Sequence, residues 1–101
     1  MYLGRITGTV WATQKPSSLE GLRFQIVAQV GPDLKETGAS VIAADAVGAG
    51  MGDLVLYATG SSARQTKATE NRPVDAVIMA VVDSFDVDGK VVFKKSGKGD
   101  R

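Results

Sequence analysis

The chain has 101 residues, 44% of them apolar, and its twelve basic and eleven acidic side chains leave a formal net charge of +1. That length suits one compact domain; no apolar run approaches the ~18 residues of a membrane span, and the near-neutral charge lacks the surplus of Lys and Arg on which a dedicated nucleic-acid binder relies. Neither cysteine nor histidine occurs, which removes disulfides, thiolate metal sites, the commonest general base and the strongest side-chain nucleophile.

The chain opens on Tyr2 to Thr13, where Tyr2, Ile6, Val10 and Ala12 share one face with Gly4 and Gly8 while Arg5, Thr7 and Thr9 take the other. This reads as a strand whose two glycines suit sharp coiling or the close approach of another backbone. Arg5 is followed by Ile6-Thr7-Gly8-Thr9-Val10 instead of a continuous apolar segment with a cleavage site, so no secretory signal is expected and the protein is expected in the cytoplasm. After the turn-forming Gln14-Lys15-Pro16-Ser17-Ser18, the alternation is clearest: Leu22, Phe24, Ile26, Ala28 and Val30 against Arg23, Gln25, Val27 and Gln29. Gly31-Pro32-Asp33 stops that strand.

A third strand is expected near Ser40 to Ala44, a fourth near Leu54 to Ala58 and a fifth over Val74 to Val82. A short helix, capped by Ser61 or Ser62, fits between the fourth and fifth. Asp88-Gly89, between Phe85-Asp86-Val87 and Lys90-Val91-Val92-Phe93, is a two-residue hairpin signal. The fold expected is therefore all-β: an OB-like five-stranded β-barrel with a short helix and a C-terminal β-hairpin. The domain is expected over 1–93 and a basic flexible tail over 94–101.

Several segments invite chemical readings that their context does not support. Val47-Gly48-Ala49-Gly50-Met51-Gly52-Asp53 looks like a phosphate loop, yet its glycines lie between two strands and no Gly-Lys-Ser/Thr follows. Gly60-Ser61-Ser62-Ala63-Arg64 lacks the second glycine of a nucleophile elbow and has no histidine to activate a serine. Most of the eleven carboxylates sit at turns or strand ends, as Asp33, Asp45, Asp53, Asp75, Asp83, Asp86 and Asp88 do. No catalytic residue, cofactor or metal ligand is therefore assigned, and the chain is not expected to be an enzyme. An OB-like barrel binding single-stranded nucleic acid or a small ligand is the alternative; it would need aromatics on a basic groove, and the basic residues are scattered apart from Lys94, Lys95 and Lys98.

Four segments, in this order and spacing, resemble the bacterial microcompartment vertex family, the CcmL/EutN family, over Met1 to about Asp83. They are Met-Tyr-Leu-Gly-Arg-Ile-Thr-Gly-Thr-Val-Trp-Ala-Thr-Gln-Lys at the start, Ala44 to Asp53 leading into a strand, Gly60-Ser61-Ser62-Ala63-Arg64, and Glu70-Asn71-Arg72-Pro73-Val74-Asp75-Ala76-Val77. The resemblance implies an OB-like barrel that forms a homopentamer at the corners of a polyhedral protein shell. Its partners would be copies of itself, hexameric shell proteins and encapsulated cargo, with no nucleic acid and no membrane.

Near a fivefold axis each loop appears five times, so small residues are required there. Gly48, Ala49, Gly50 and Gly52 form one candidate segment, and Gly60, Ser61 and Ser62 the other; the second is preferred for the narrowest point because its hydroxyls can face water. Arg64, Asn71, Arg72 and Asp75 are expected to stabilise the ring by charge-assisted or amide hydrogen bonds, within or between subunits.

Overall fold

The computed structural model describes residues 1–12 and 15–95. Five strands close a barrel: β1 (Tyr2–Val10), β2 (Phe24–Val30), β3 (Glu36–Asp45), β4 (Leu54–Thr59) and β5 (Ala76–Val81). Their order around the barrel is β1-β2-β3-β5-β4, and all neighbours are antiparallel except β3 and β5. Two further strands, β6 (Ser84–Val87) and β7 (Lys90–Lys94), make a separate antiparallel hairpin. Its turn residues Asp88 and Gly89 have φ of 53° and 79°, as a type I′ turn demands.

The barrel interior holds Ile6, Val27, Ala43, Ala49, Val55, Tyr57, Ala76 and Ile78. A second cluster lies outside the barrel wall, where Leu22, Ala44, Ala58, Ala63, Val74 and Val77 pack beneath the segment joining β4 to β5. Closing a small barrel leaves little room inside, and Gly4 shows how little. A Cβ added there would run into Val27 Cγ1 and would lie 2.9 Å from Tyr57 Cε1. A backbone approach was expected at this glycine; the nearest atoms are those two core side chains, with the Ala28 carbonyl oxygen third at 3.1 Å.

Several expectations are refined. β1 pairs only as far as Val10, and a register shift between Ile6 and Gly8 breaks the single face that Tyr2, Ile6, Val10 and Ala12 were expected to share. On β2 only part of the regular apolar series is buried. Ala28 and Val30 are, but Phe24 and Ile26 are only partly covered on the outer surface, and Gln25 and Val27 are buried in their place. β3 begins at Glu36, four residues before its expected start, because the ladder to β2 continues through Val30↔Glu36 although that half carries exposed side chains. β5 starts at Ala76, not Val74. The short helix is a five-residue 3-10 turn, Gly60–Arg64, and neither serine caps it: the N-cap is Thr59, with no side-chain cap bond. Lys94, first residue of the expected tail, ends β7, and the amide of Lys95 donates to the Asp83 carbonyl at 2.7 Å. Residues 96–101 of that tail lie outside the described residues.

Candidate functional site

The glycine loop between β3 and β4 is built around two carboxylates. Asp45 Oδ1 accepts from the amides of Val47, Gly48 and Ala49 at 3.0, 2.8 and 3.2 Å. Asp53 Oδ2 accepts from the Gly50 amide at 2.8 Å. A phosphate loop needs converging free amides; here three consecutive ones are already satisfied by the chain's own Asp45. Arg5 donates to the Gly52 carbonyl at 3.0 Å, and the Gly52 amide donates to the Ile6 carbonyl at 2.9 Å, which ties the loop to β1.

A residue that the alternation gave no reason to single out organises this end of the barrel. Gln25 is 1% exposed. Its amide nitrogen donates to the Ala49 carbonyl at 3.0 Å and to Asp45 Oδ2 at 3.3 Å, and its carbonyl oxygen accepts from the Thr9 hydroxyl at 2.8 Å. All three polar contacts lie on neighbouring elements, so the side chain links β1, β2 and the glycine loop. Ala49 is buried accordingly, while Met51 at the loop's surface is exposed.

The second glycine segment sits at the β4–β5 boundary. Gly60 adopts φ +65°, a conformation that suits glycine, and its amide donates to the Asp75 carbonyl at 2.9 Å. Ser61 and Ser62 are exposed, and Ala63 is buried in the outer cluster. Arg64 donates to the Val74 carbonyl at 3.0 Å, and Arg72 to the Glu20 carbonyl at 2.8 Å. Asn71 is exposed with φ 57°, the left-handed region that asparagine tolerates better than most residues. Within one chain, then, Arg64 and Arg72 fasten the 60–75 segment through backbone carbonyls. The Asp75 carboxylate remains exposed, and among the described residues it has no ion-pair partner.

The structure brings Gly60 and Asp75 together on one wall of an outer groove of about 720 Å³, lined also by Ile26, Ile42, Thr59 and Ala76. Gly48, Ala49, Gly50 and Gly52 belong instead to the loop knit to β1 and β2. Among the described residues no group of three or more Asp and Glu side chains could hold a metal ion, and no helix is long and apolar enough to cross a membrane. The aromatics form no exposed stacking platform: Tyr2 stacks on Tyr57 with centroids 5.4 Å apart, and Phe85 on Phe93 at 6.3 Å. Trp11, 87% exposed, stands apart from them.

The family described as "Ethanolamine utilisation protein EutN/carboxysome" matches residues 1–83. The chain belongs to this family. It is 40% identical over 98 residues to the carboxysome shell vertex protein CcmL of Gloeobacter violaceus, covering 94% of this chain and 95% of that one. The solved structure of that CcmL superposes with a TM-score of 0.90 at 38% identity, covering 94% of this chain and 98% of that one. The shell vertex protein GrpN of Rhodospirillum rubrum is 38% identical over 86 residues, 85% of this chain and 97% of its own. Its structure, described as a pentameric microcompartment shell protein, gives a TM-score of 0.78 at 38% identity over 86% of this chain and all of the other. Both relatives are named as shell vertex proteins. Family membership and the barrel thus agree with what the four sequence segments imply, and the C-terminal hairpin with the Asp88-Gly89 signal.

Proposed function

We infer that this protein is a shell vertex subunit: five copies close into a ring that occupies the corners of a polyhedral protein shell in the cytoplasm. The observation that carries the reading is the match of the entire barrel to shell vertex proteins, one of them described as pentameric. The geometry makes physical sense. Sixfold tiles alone produce a flat sheet, and fivefold units supply the curvature that closes it. A fivefold ring is held by head-to-tail contacts, each joining one patch of a subunit to a different patch of the next.

In this reading the partners are further copies of the chain and the sixfold shell proteins around each corner, with cargo on the inner side. The exposed Gly60-Ser61-Ser62 segment faces the axis, where five small side chains leave room for a narrow water-lined opening. Arg64 and Arg72, by holding the 60–75 segment in place, set the shape of the wall that meets the neighbouring subunit.

Native mass spectrometry tests this directly. The expected species has five times the chain mass of 10.5 kDa. A stable monomer at micromolar concentration would refute the ring. Ser62→Trp tests the axis: five indoles cannot fit around a narrow opening, so the ring is expected to weaken or fail. An unaltered ring would place the serine away from the axis.

A further inference from the structure

A head-to-tail ring needs two complementary patches on each chain, and the inference below rests on the ring proposed above. One patch is an unfinished strand edge. Among the described residues β3 is paired with β2 along its length, but β5 joins its other side only at Ala44 and Asp45. The stretch from Glu36 to Ile42 therefore presents backbone donors and acceptors on a free edge. The 720 Å³ groove runs beside it, with Ile42 56% exposed and the Asp75 carboxylate exposed on the facing wall.

The other patch is the hairpin. Among the described residues β6 and β7 pair only with each other, and a two-stranded sheet alone is marginal in water. Phe85 lines a hollow together with Leu3, Leu56 and Val82, where the hairpin leaves the barrel. Farther along the hairpin Val91 is 68% exposed and Val87 39%. Lys90 and Lys94, at the two ends of β7, are exposed as well.

We propose that the hairpin of one copy lies in the β3–β5 groove of the next. There β7 adds to the free edge of β3, Val91 packs against Ile26 and Ile42, and a β7 lysine meets Asp75. Four properties match across this contact. The five residues of β7 are fewer than the seven of the free edge, so the strand fits within it. Unpaired backbone groups face unpaired backbone groups, as in strand addition generally. Exposed valine meets exposed isoleucine, and the lone carboxylate meets an ammonium. Each copy gives one hairpin and receives one, so the contact repeats around the ring and leaves no end.

The chain has no cysteine, so a protein carrying both Ile42→Cys and Val91→Cys holds thiols only at the proposed contact. After mild oxidation, a denaturing gel run without reductant is expected to show a linked series ending at five chains. Each single-cysteine variant is expected to show none, because position 42 meets 91 and never another 42. A ring of five by native mass that yields no linked chains overturns the contact and leaves the vertex reading standing. A parent chain that stays monomeric overturns the vertex reading, and the contact with it. If the two cysteines themselves hinder assembly, charge exchange decides: Asp75→Lys should raise the concentration at which the ring half-dissociates about tenfold. Adding Lys90→Asp and Lys94→Asp should reverse that rise. No change with Asp75→Lys, or no recovery with the added aspartates, overturns the contact.

Discussion

Replacing Gln25 with leucine removes the polar hub of the barrel while nearly preserving its volume. The buried Ala49 carbonyl loses its donor at 3.0 Å, Asp45 loses a contact at 3.3 Å, and the Thr9 hydroxyl loses its acceptor at 2.8 Å. A hydrogen bond of this kind contributes about 1 kcal/mol net, and a stranded buried acceptor costs about 1–3 kcal/mol. Leucine's added apolar surface returns roughly 1 kcal/mol. The expected net loss is about 2–4 kcal/mol, a large share of the ~5–15 kcal/mol that holds a small domain folded.

Urea unfolding followed by circular dichroism measures this loss, at one fixed chain concentration because assembly itself adds apparent stability. Gln29→Leu on the same strand is the control. Among the described residues that side chain bonds only the exposed Thr37 hydroxyl, at 3.0 Å, and its loss should change stability by no more than about 0.5 kcal/mol. If Gln25→Leu proves as stable as the parent, the hub does not hold the loop and the reasoning is wrong.

Gly4→Ala should cost about 1–3 kcal/mol, because its methyl would press on Val27 and Tyr57; the melting temperature should fall by about 4–8 °C per kcal/mol, and an unchanged melt would mean that the wall gives way easily. Burial, with a smaller contribution from Tyr2, raises the Tyr57 phenol above its ordinary value of 10.0. The unfolded chain therefore loses this proton first, so the stability it protects is complete below pH 10.0 and declines as pH rises through the raised value. The difference in stability between parent and Tyr57→Phe should accordingly change only on the alkaline side of pH 10.0, and a constant offset across pH 7–11 would contradict this. Arg64→Ala removes the donor to the Val74 carbonyl, so hydrogen exchange should quicken in residues 60–75 while amides of β1 and β2 keep their protection. Uniform acceleration would show that the arginine supports the whole barrel.

Much of the fold was legible because its strands end where glycine and proline demand turns. Asp88-Gly89 gave the hairpin, and Gly31-Pro32-Asp33 ended β2 one residue after Val30. The polar half of β3 was not legible, because Glu36 to Ser40 earns its strand from backbone pairing with β2 and shows no apolar period. The inward face of β2 was misleading for a related reason. Alternation reports that two faces differ, and here the outer face is apolar too, because the cluster of Leu22, Ala44 and Ala58 outside the barrel wall packs against Phe24. Gln25 then passes for a surface residue, since only the position of Ala49 and Asp45 in space gives its amide a buried role. The residues of the glycine loop and of Gly60-Ser61-Ser62 stood out by composition; what composition lacks is the hydrogen bonding that assigns one loop to β1 and β2 and the other to the β4–β5 boundary.

The carboxylates around the glycine loop also bear on how fast subunits can join. A loop rich in glycine normally samples many shapes, and ordering it at an encounter slows productive docking and weakens the final complex. Here Asp45, Asp53 and Gln25 complete that ordering inside a single chain, before any neighbour arrives. In the ring proposed above, each subunit would meet the next with this loop already ordered, and random collisions in the wrong orientation would find no pliable segment to mould around. Such a building block would favour a closed assembly of one defined size over a spread of partial and irregular ones.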